Sequence, residues 1–392
     1  MTVPEAIGRL FPESRRLPSG VWAVGGVIRD LLLDLEPVDL DLACIDAAGV
    51  ARHFTKLVSG TLVDLGRERF PTFRVISNGR VFDFSELTDG SIAADLARRD
   101  FTINSMALDL VTGHLLDLHG GAADLHAGVV RMVREQNLVD DPLRILKAIR
   151  TACTLGFDIE ASTLEALQRH RELVGGVAGE RLRSELMRAV DSERSSLAIH
   201  LLREIALDEI LFGSGLATED TESRCDGLPG GNHLPVLALL FRPLDSQKIA
   251  EIALRLRFSQ EETRALAVMR SLSIAAHADD DGSLRLAMYD AGPEVVAMAE
   301  ELLGRSGPAS LVERLHLLRS APGFFDTRSL LDGTEIAALL GTGPGPAVGR
   351  AKRALLAAQL GGRVAGRVEA IELMESLSKA RRTEAGDVEP QE

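Results

Sequence analysis

The chain has 392 residues, 45% of them hydrophobic and 26% charged, a soluble globular balance on a chain too long for one ordinary core. Cys44, Cys153 and Cys225 are widely spaced and no HxxxH pair exists, which excludes a disulfide framework and a zinc site. There is no apolar leader and no run of 18 apolar residues, which excludes a membrane protein and sets a cytoplasmic expectation. The net charge of −14 argues against a broadly basic, RNA-coating surface. It leaves room for local patches, because arginines cluster at Arg98-Arg99, from Arg131 to Arg150 and from Arg181 to Arg194.

In chain order, residues 19–132 read as an α/β unit. The apolar run 21–24 ends in Gly25-Gly26, and a helical stretch, 27–35, follows. Residues 38–43, VDLDLA, alternate acidic and apolar side chains as a strand does. The segments 73–76 and 80–84 flank Asn78-Gly79, the dipeptide favoured in a two-residue hairpin turn, and together they predict a mixed, half-covered sheet. Beyond about residue 138 strand signals fade, and Ala, Leu and Arg predict helices. One starts at Pro142 with Asp140 or Asp141 near its cap, and others cover roughly 161–173, 180–190, 194–206 and 245–256. Ser259 and Glu262 stand as a capping box, and Asp279 to Gly282 as a turn. Residues 341–349 form a Gly/Pro break before a last helix, 350–378, and the polar end is expected to fray.

The chemistry concentrates in the first half. Residues i and i+2 of a strand share a face, so Asp39 and Asp41 converge, and paired carboxylates suit Mg²⁺ and the phosphates it carries. A Gly pair ahead of a helix lets backbone N–H groups approach a triphosphate. Metal-assisted phosphoryl transfer is one reading of this set, and a charge-guarded strand edge is the other. Asp83, between Phe82 and Phe84, is a candidate third carboxylate if its strand neighbours theirs, and a solvent-facing Asp otherwise. Arg98, Arg99, Asp100 and Asn104 suit a triphosphate and a ribose, or a capped helix with surface arginines. Asp141 and Arg144 are three apart: an intrahelical ion pair, or a reader of a base whose exocyclic amino group an Asp accepts, as in C and A.

The ordered set GGVIRD, DLDLA, RRDFTINSMA, DLHGGAADLHAGVVR, DDPLRILKAIRTACTLGF and GERLRSEL resembles the class II tRNA nucleotidyltransferases and bacterial poly(A) polymerases over residues 20–190, and more weakly at 254–262 and 330–350. The resemblance implies an α+β fold. A mixed-sheet nucleotidyltransferase head (1–138) is followed by an all-α neck (139–195), body (196–325) and RNA-binding tail (326–392). It implies template-independent transfer of CMP or AMP from CTP or ATP to the 3′ end of tRNA or another RNA. Asp39 and Asp41 match the metal ligands, with Mg²⁺ as cofactor. Gly25, Gly26, Arg29 and Asp30 match the triphosphate motif, and Arg99, Asp100 and Asn104 the ribose motif. The segment from Asp117 to Arg131 matches the coupling of head to neck. Asp141 and Arg144 match the base reader, followed in the same helix by Arg150, and Glu180 and Arg181 match a neck brace.

This chain departs from the family at five places. Asp140 stands where Glu is usual, and Lys147 and Thr151 where Arg and Phe are usual. The stretch from Asp83 to Ser91 lacks the longer loop of many CCA-adding members, which points to a CC- or A-adding specialist. The basic signature of poly(A) polymerases is only echoed in GRERF at 66–70.

Overall fold

A computed structural model describes residues 2–66, 71–213, 222, 225, 231, 233–241, 243–275, 281–306 and 309–386. The chain divides into two compact units, Met1–Ser214 with Pro229–Gly231, and Gly215–Leu228 with Asn232–Glu392.

The first unit opens with α1 (Val3–Leu10) and is built on a seven-stranded sheet. Its strands are β1 (Trp22–Val24), β2 (Asp39–Cys44), β3 (Thr61–Asp64), β4 (Thr72–Ser77), β5 (Arg80–Glu86), β6 (Met106–Asp109) and β7 (Leu115–Asp117). They lie in the order β3-β4-β5-β2-β1-β6-β7, with β2 and β5 parallel and the other neighbours antiparallel, so the sheet is mixed as expected. The hairpin between β4 and β5 turns on Asn78 and Gly79, both at positive φ (50° and 76°), and pairs Ser77 with Arg80.

Strand alternation sorts the side chains between two faces. Ala23, Leu40, Leu42, Phe82, Phe84, Met106 and Leu108 enter one core with Phe54 of α3 (Ala47–Val58) and with Ile7 of α1. Phe54 and Phe82 meet edge to face at 5.0 Å. The opposite face carries Val24, Ala43 and Ala107, packed with Leu96 of a short helix, α4 (Ile92–Ala97), and it also carries Asp41 and Asp83.

Helix α2 (Gly26–Leu32) stops three residues before the expected end, since Asp34 turns at φ 56° and Leu35 N–H bonds back to Asp30 O. After β7 come α5 (Gly121–Ala127) and α6 (Gln136–Asp140). The helices α7 (Leu143–Leu155), α8 (Ala161–His170), α9 (Gly179–Val190), α10 (Ser195–Glu204) and α11 (Leu207–Phe212) complete the unit. Helix α7 buries Ile145, Leu146, Ala148, Ile149 and Ala152 and packs on α9, and Gly156 ends it in the left-handed conformation. Neither Asp140 nor Asp141 caps α7 through its side chain: only the Asp141 carbonyl receives the Arg144 N–H, and the carboxylate turns away. The two-stranded pair of β8 (Val129–Val130) and β9 (Asp158–Ile159), together with Arg131 bridging Asp124 and Glu160, ties the segment after the sheet to the helices.

Every regular element of the second unit, among its described residues, is a helix. The Ser259/Glu262 capping box forms, each backbone N–H bonded to the other side chain. Two expectations fail here. Asp281 and Gly282 begin the helix Asp281–Ala291 instead of a turn, while Asp279 and Asp280 lie outside the described residues. The last helical stretch is two helices, Pro346–Leu360 and Arg367–Gly386. Pro346 is pre-organised for a first turn inside the Gly/Pro break, and Gly361-Gly362, the latter at φ 72°, interrupts the run. The polar end beyond residue 386, and residues 67–70 of GRERF, lie outside the described residues. No described helix is long and apolar enough to cross a membrane.

Candidate functional site

Two strands meet to build an acidic row. Because β2 and β5 are parallel with Asp41 opposite Asp83, and Asp39 lies two residues before Asp41, all three carboxylates share one face. Their oxygens lie within 4.8 Å of one another. Burial, then the charges of Asp39 and Asp83 set against the pull of Arg99 and Lys147, push the Asp41 carboxyl up to about 6 from its usual 3.8. Three convergent hard oxygen donors that repel one another fit a divalent cation, whose charge removes the repulsion. Among the described residues no other His, Cys, Asp and Glu side chains converge in this way.

The expected third carboxylate therefore joins the pair, but with a partner the sequence reading overlooked. Arg74, opposite Asp83 on β4, donates Nε and Nη2 to the two Asp83 oxygens at 2.8 and 2.6 Å.

Gly25 borders the row. Its φ of 80° with ψ of −136° suits glycine alone, and a Cβ there would lie 2.9 Å from Arg99 Nη1 and 3.5 Å from Asp41 Oδ2. The missing side chain thus keeps a gap between an arginine and a triad member. Gly26 opens α2 beside it. Arg99 is aimed by Asp95, a second overlooked residue. The fully buried Asp95 carboxylate accepts from Arg98 on one oxygen and from Arg99 Nε and Nη2 on the other. Burial raises the Asp95 carboxyl, but the two arginines more than offset it and hold it below the usual range.

A continuous polar chain links α2 to α7. Arg29 bonds Asp30 and gives Nη1 to Asn104 Oδ1 at 2.8 Å. Asn104 Nδ2 donates to Asp100 at 3.0 Å, and the Phe101 N–H binds the same oxygen. Lys147 of α7 lies 2.5 Å from the other Asp100 oxygen. Burial would raise the Asp100 carboxyl, yet the Lys147 charge and these hydrogen bonds hold it well below the ordinary range. Asn137, also missed, anchors the arginine segment from behind by donating to the carbonyls of Ala97 and Arg99. Beneath that segment Thr102 donates to Asp124, and Gly121 sits where a Cβ would meet Thr102 O at 2.2 Å.

The pair expected to read a base is close in sequence but not paired. Asp141 accepts from Arg181 of α9 at 3.1 Å on both oxygens, and Arg144 donates to Asn137 O at 3.2 Å. Burial lowers the Arg144 pKa, and among the described residues it pairs with no carboxylate. Arg150 stands apart from this group, its Nε 2.6 Å from Glu185 of α9.

The family model described as "Poly A polymerase head domain" matches residues 21–131, and "Probable RNA and SrmB- binding site of polymerase A" matches residues 156–217. The chain is 33% identical to the CC-adding tRNA nucleotidyltransferase of Geobacter sulfurreducens, over 90% of each chain. It is 30% identical to the A-adding tRNA nucleotidyltransferase of Deinococcus radiodurans, over 91% of this chain and 95% of that one. Its fold resembles the crystal structure of the Bacillus stearothermophilus CCA-adding enzyme in complex with CTP, with a TM-score of 0.70, 22% identity and coverage of 98% and 100%.

Proposed function

Because the chain belongs to the family of class II tRNA nucleotidyltransferases and poly(A) polymerases, and so is a template-independent nucleotidyltransferase, we propose that it adds the two C residues of the tRNA 3′ end from CTP. The observation that carries tRNA over other RNA is the nearly full-length match to tRNA-directed relatives. The short connection from β5 to α4, only Leu87 to Ser91, favours a specialist over a full CCA-adding enzyme. A-only addition is the second reading, favoured by the equally long match to the A-adding relative.

In this reading Asp39, Asp41 and Asp83 hold Mg²⁺, which when bound activates the RNA 3′-hydroxyl and neutralises the departing pyrophosphate. Arg99, fixed by Asp95, directs Nη1 past the gap at Gly25 toward the triphosphate, and Arg29 supports the same side through Asn104. Asp100 and Asn104 face the ribose, and Asp141 with Arg144 accepts the base. Residues 1–138, 139–195, 196–325 and 326–392 act as head, neck, body and tail, the last two holding the tRNA acceptor arm by shape and phosphate contacts. Arg150 serves this reading indirectly, by joining α7 to α9.

The test uses purified protein with tRNAs ending at the discriminator base, at C and at CC, and CTP or ATP as the only nucleotide. CC addition predicts two C residues on the first substrate, one on the second and none on the third. Incorporation of A on the CC-ended tRNA alone moves the chain to the A-adding reading, and preference for an oligo(A) primer moves it to poly(A) synthesis.

Lys147 supplies a sharper prediction about sugar selection. Lys147→Met removes the counter-ion from a buried carboxylate that must meet the ribose, so kcat/KM for CTP should fall and the preference for CTP over dCTP should shrink by about tenfold. Lys147→Arg should retain most of the preference. If the CTP:dCTP ratio holds in Lys147→Met while both rates drop together, Lys147 only supports the helix.

A further inference from the structure

Arg74 is the only side chain, among the described residues, hydrogen-bonded to any of the three carboxylates of the acidic row. The other cations that act on the row reach it only through space. Arg99 is tied to Asp95 and Lys147 to Asp100, and both bear on Asp41. Arg74 instead spends a bidentate fork on Asp83 itself. Its pKa is raised first by that hydrogen bond, against some loss from burial, and then by the charges of Asp83, Asp39 and Asp41. The geometry has a local cause: the two-residue turn at Asn78-Gly79 fixes the β4–β5 register, and the register sets Arg74 opposite Asp83, in one row with Asp41.

We propose that Arg74 is a positioning residue that stands in for the cation at Asp83. It holds the third carboxylate in place and keeps the cation affinity of the nucleotide-free enzyme low. With both Asp83 oxygens already engaged, a divalent ion finds two free carboxylates, Asp39 and Asp41, and must compete with a guanidinium for the third. A nucleotide triphosphate brings its own oxygen ligands and negative charge, so full occupancy of the row is coupled to substrate arrival. Arg74 is about one-third exposed, so solvent screens part of its charge and the effect is moderate.

This inference rests on the reading of the acidic row as a metal site, and its test separates the two. Mn²⁺ is titrated into the nucleotide-free, full-length enzyme and followed by the electron paramagnetic resonance of free Mn²⁺. Arg74→Gln, which keeps the polar shape but loses the charge, should bind Mn²⁺ about tenfold more tightly than wild type. Arg74→Lys, which keeps the charge, should stay within about threefold of wild type and guards against a folding defect in the first variant. Adding CTP should narrow the gap between wild type and Arg74→Gln. Unchanged or weaker Mn²⁺ binding by a folded Arg74→Gln overturns the proposal, since an arginine needed only to brace Asp83 gives that result. Mn²⁺ binding that survives Asp39→Asn in the wild-type background overturns the metal-site reading beneath it.

Discussion

Asp41→Asn is expected to abolish nucleotide incorporation and, at neutral pH, to raise the melting temperature of the metal-free protein. Both effects have one origin. Asp41 sits amid burial and two neighbouring carboxylates that push its pKa up to about 6 from 3.8. A carboxyl raised in this way binds its proton more tightly in the folded chain than in the unfolded one. Its contribution to stability is therefore largest at low pH, is lost as pH rises from about 4 to about 6, and becomes a constant penalty above that. At about 1.4 kcal/mol per unit the penalty is of the order of 1–3 kcal/mol after allowance for screening, which Asn removes. For a unit of this size that corresponds to a gain on the order of 2–6 °C. The same change deletes one of the proposed cation ligands and its charge, so the rate should fall by about a thousandfold or more, roughly 4 kcal/mol. The tRNA contacts proposed for the body and tail do not include Asp41, so affinity for tRNA is expected to persist. Mg²⁺ should raise the melting temperature of wild type and leave that of Asp41→Asn nearly still. Retained turnover in Asp41→Asn would remove the metal assignment. A variant less stable than wild type at neutral pH would contradict the electrostatic account of the row.

Much of this site was readable before any fold was known, and the limits follow from physics. Strand alternation was enough to place Asp39 and Asp41 together. Asp83 needed only a neighbouring strand, and the parallel β2–β5 pairing provides it. Arg74 was also within reach: a two-residue hairpin at Asn78-Gly79 pairs 77 with 80 and therefore 74 with 83, but the FRVI run was read only as a strand. Asp95 could have been found as the i,i+4 partner of Arg99 on a helix. Asn137, which anchors the backbone of Ala97 and Arg99, carries no such periodic signal. Its contacts cross about forty residues, and so does the Asp141–Arg181 pair. Local periodicity encodes the elements, whereas contacts of this separation depend on how elements dock. Where periodicity misled, it did so at chain punctuation. Gly361-Gly362 broke a run read as one helix, and Asp281-Gly282 joined a helix because an Asp is welcome in a first turn.

Asp141→Ala is expected to erase most of the discrimination between CTP and UTP. The Asp141 carboxylate lies outside the helical hydrogen-bonding of α7, on an extended residue at the end of α6, and it is partly exposed. Its only described partner is Arg181, at 3.1 Å across a pair that solvent reaches from both sides, so the pair costs little to rearrange when a base arrives. A carboxylate there can accept from the exocyclic amino group of C or A, whereas U and G offer a carbonyl at the equivalent place and meet repulsion. One such contact discriminates by about 1–3 kcal/mol, or roughly 5- to 150-fold, and the CTP:UTP ratio of kcat/KM should fall by that amount. Arg144 has a different part. It is half-buried, carries no paired carboxylate among the described residues, and donates to one carbonyl, leaving guanidinium N–H groups for a ring nitrogen or carbonyl. Arg144→Ala should therefore slow incorporation of the favoured nucleotide more than Asp141→Ala does. Arg181→Ala separates reading from bracing, because a brace that only parks Asp141 can be lost with selectivity kept within a few-fold. Single-nucleotide incorporation with each of the four nucleoside triphosphates measures all three variants. An unchanged CTP:UTP ratio in Asp141→Ala would leave base choice to other groups on α7, with Asp141 reduced to the surface partner of Arg181.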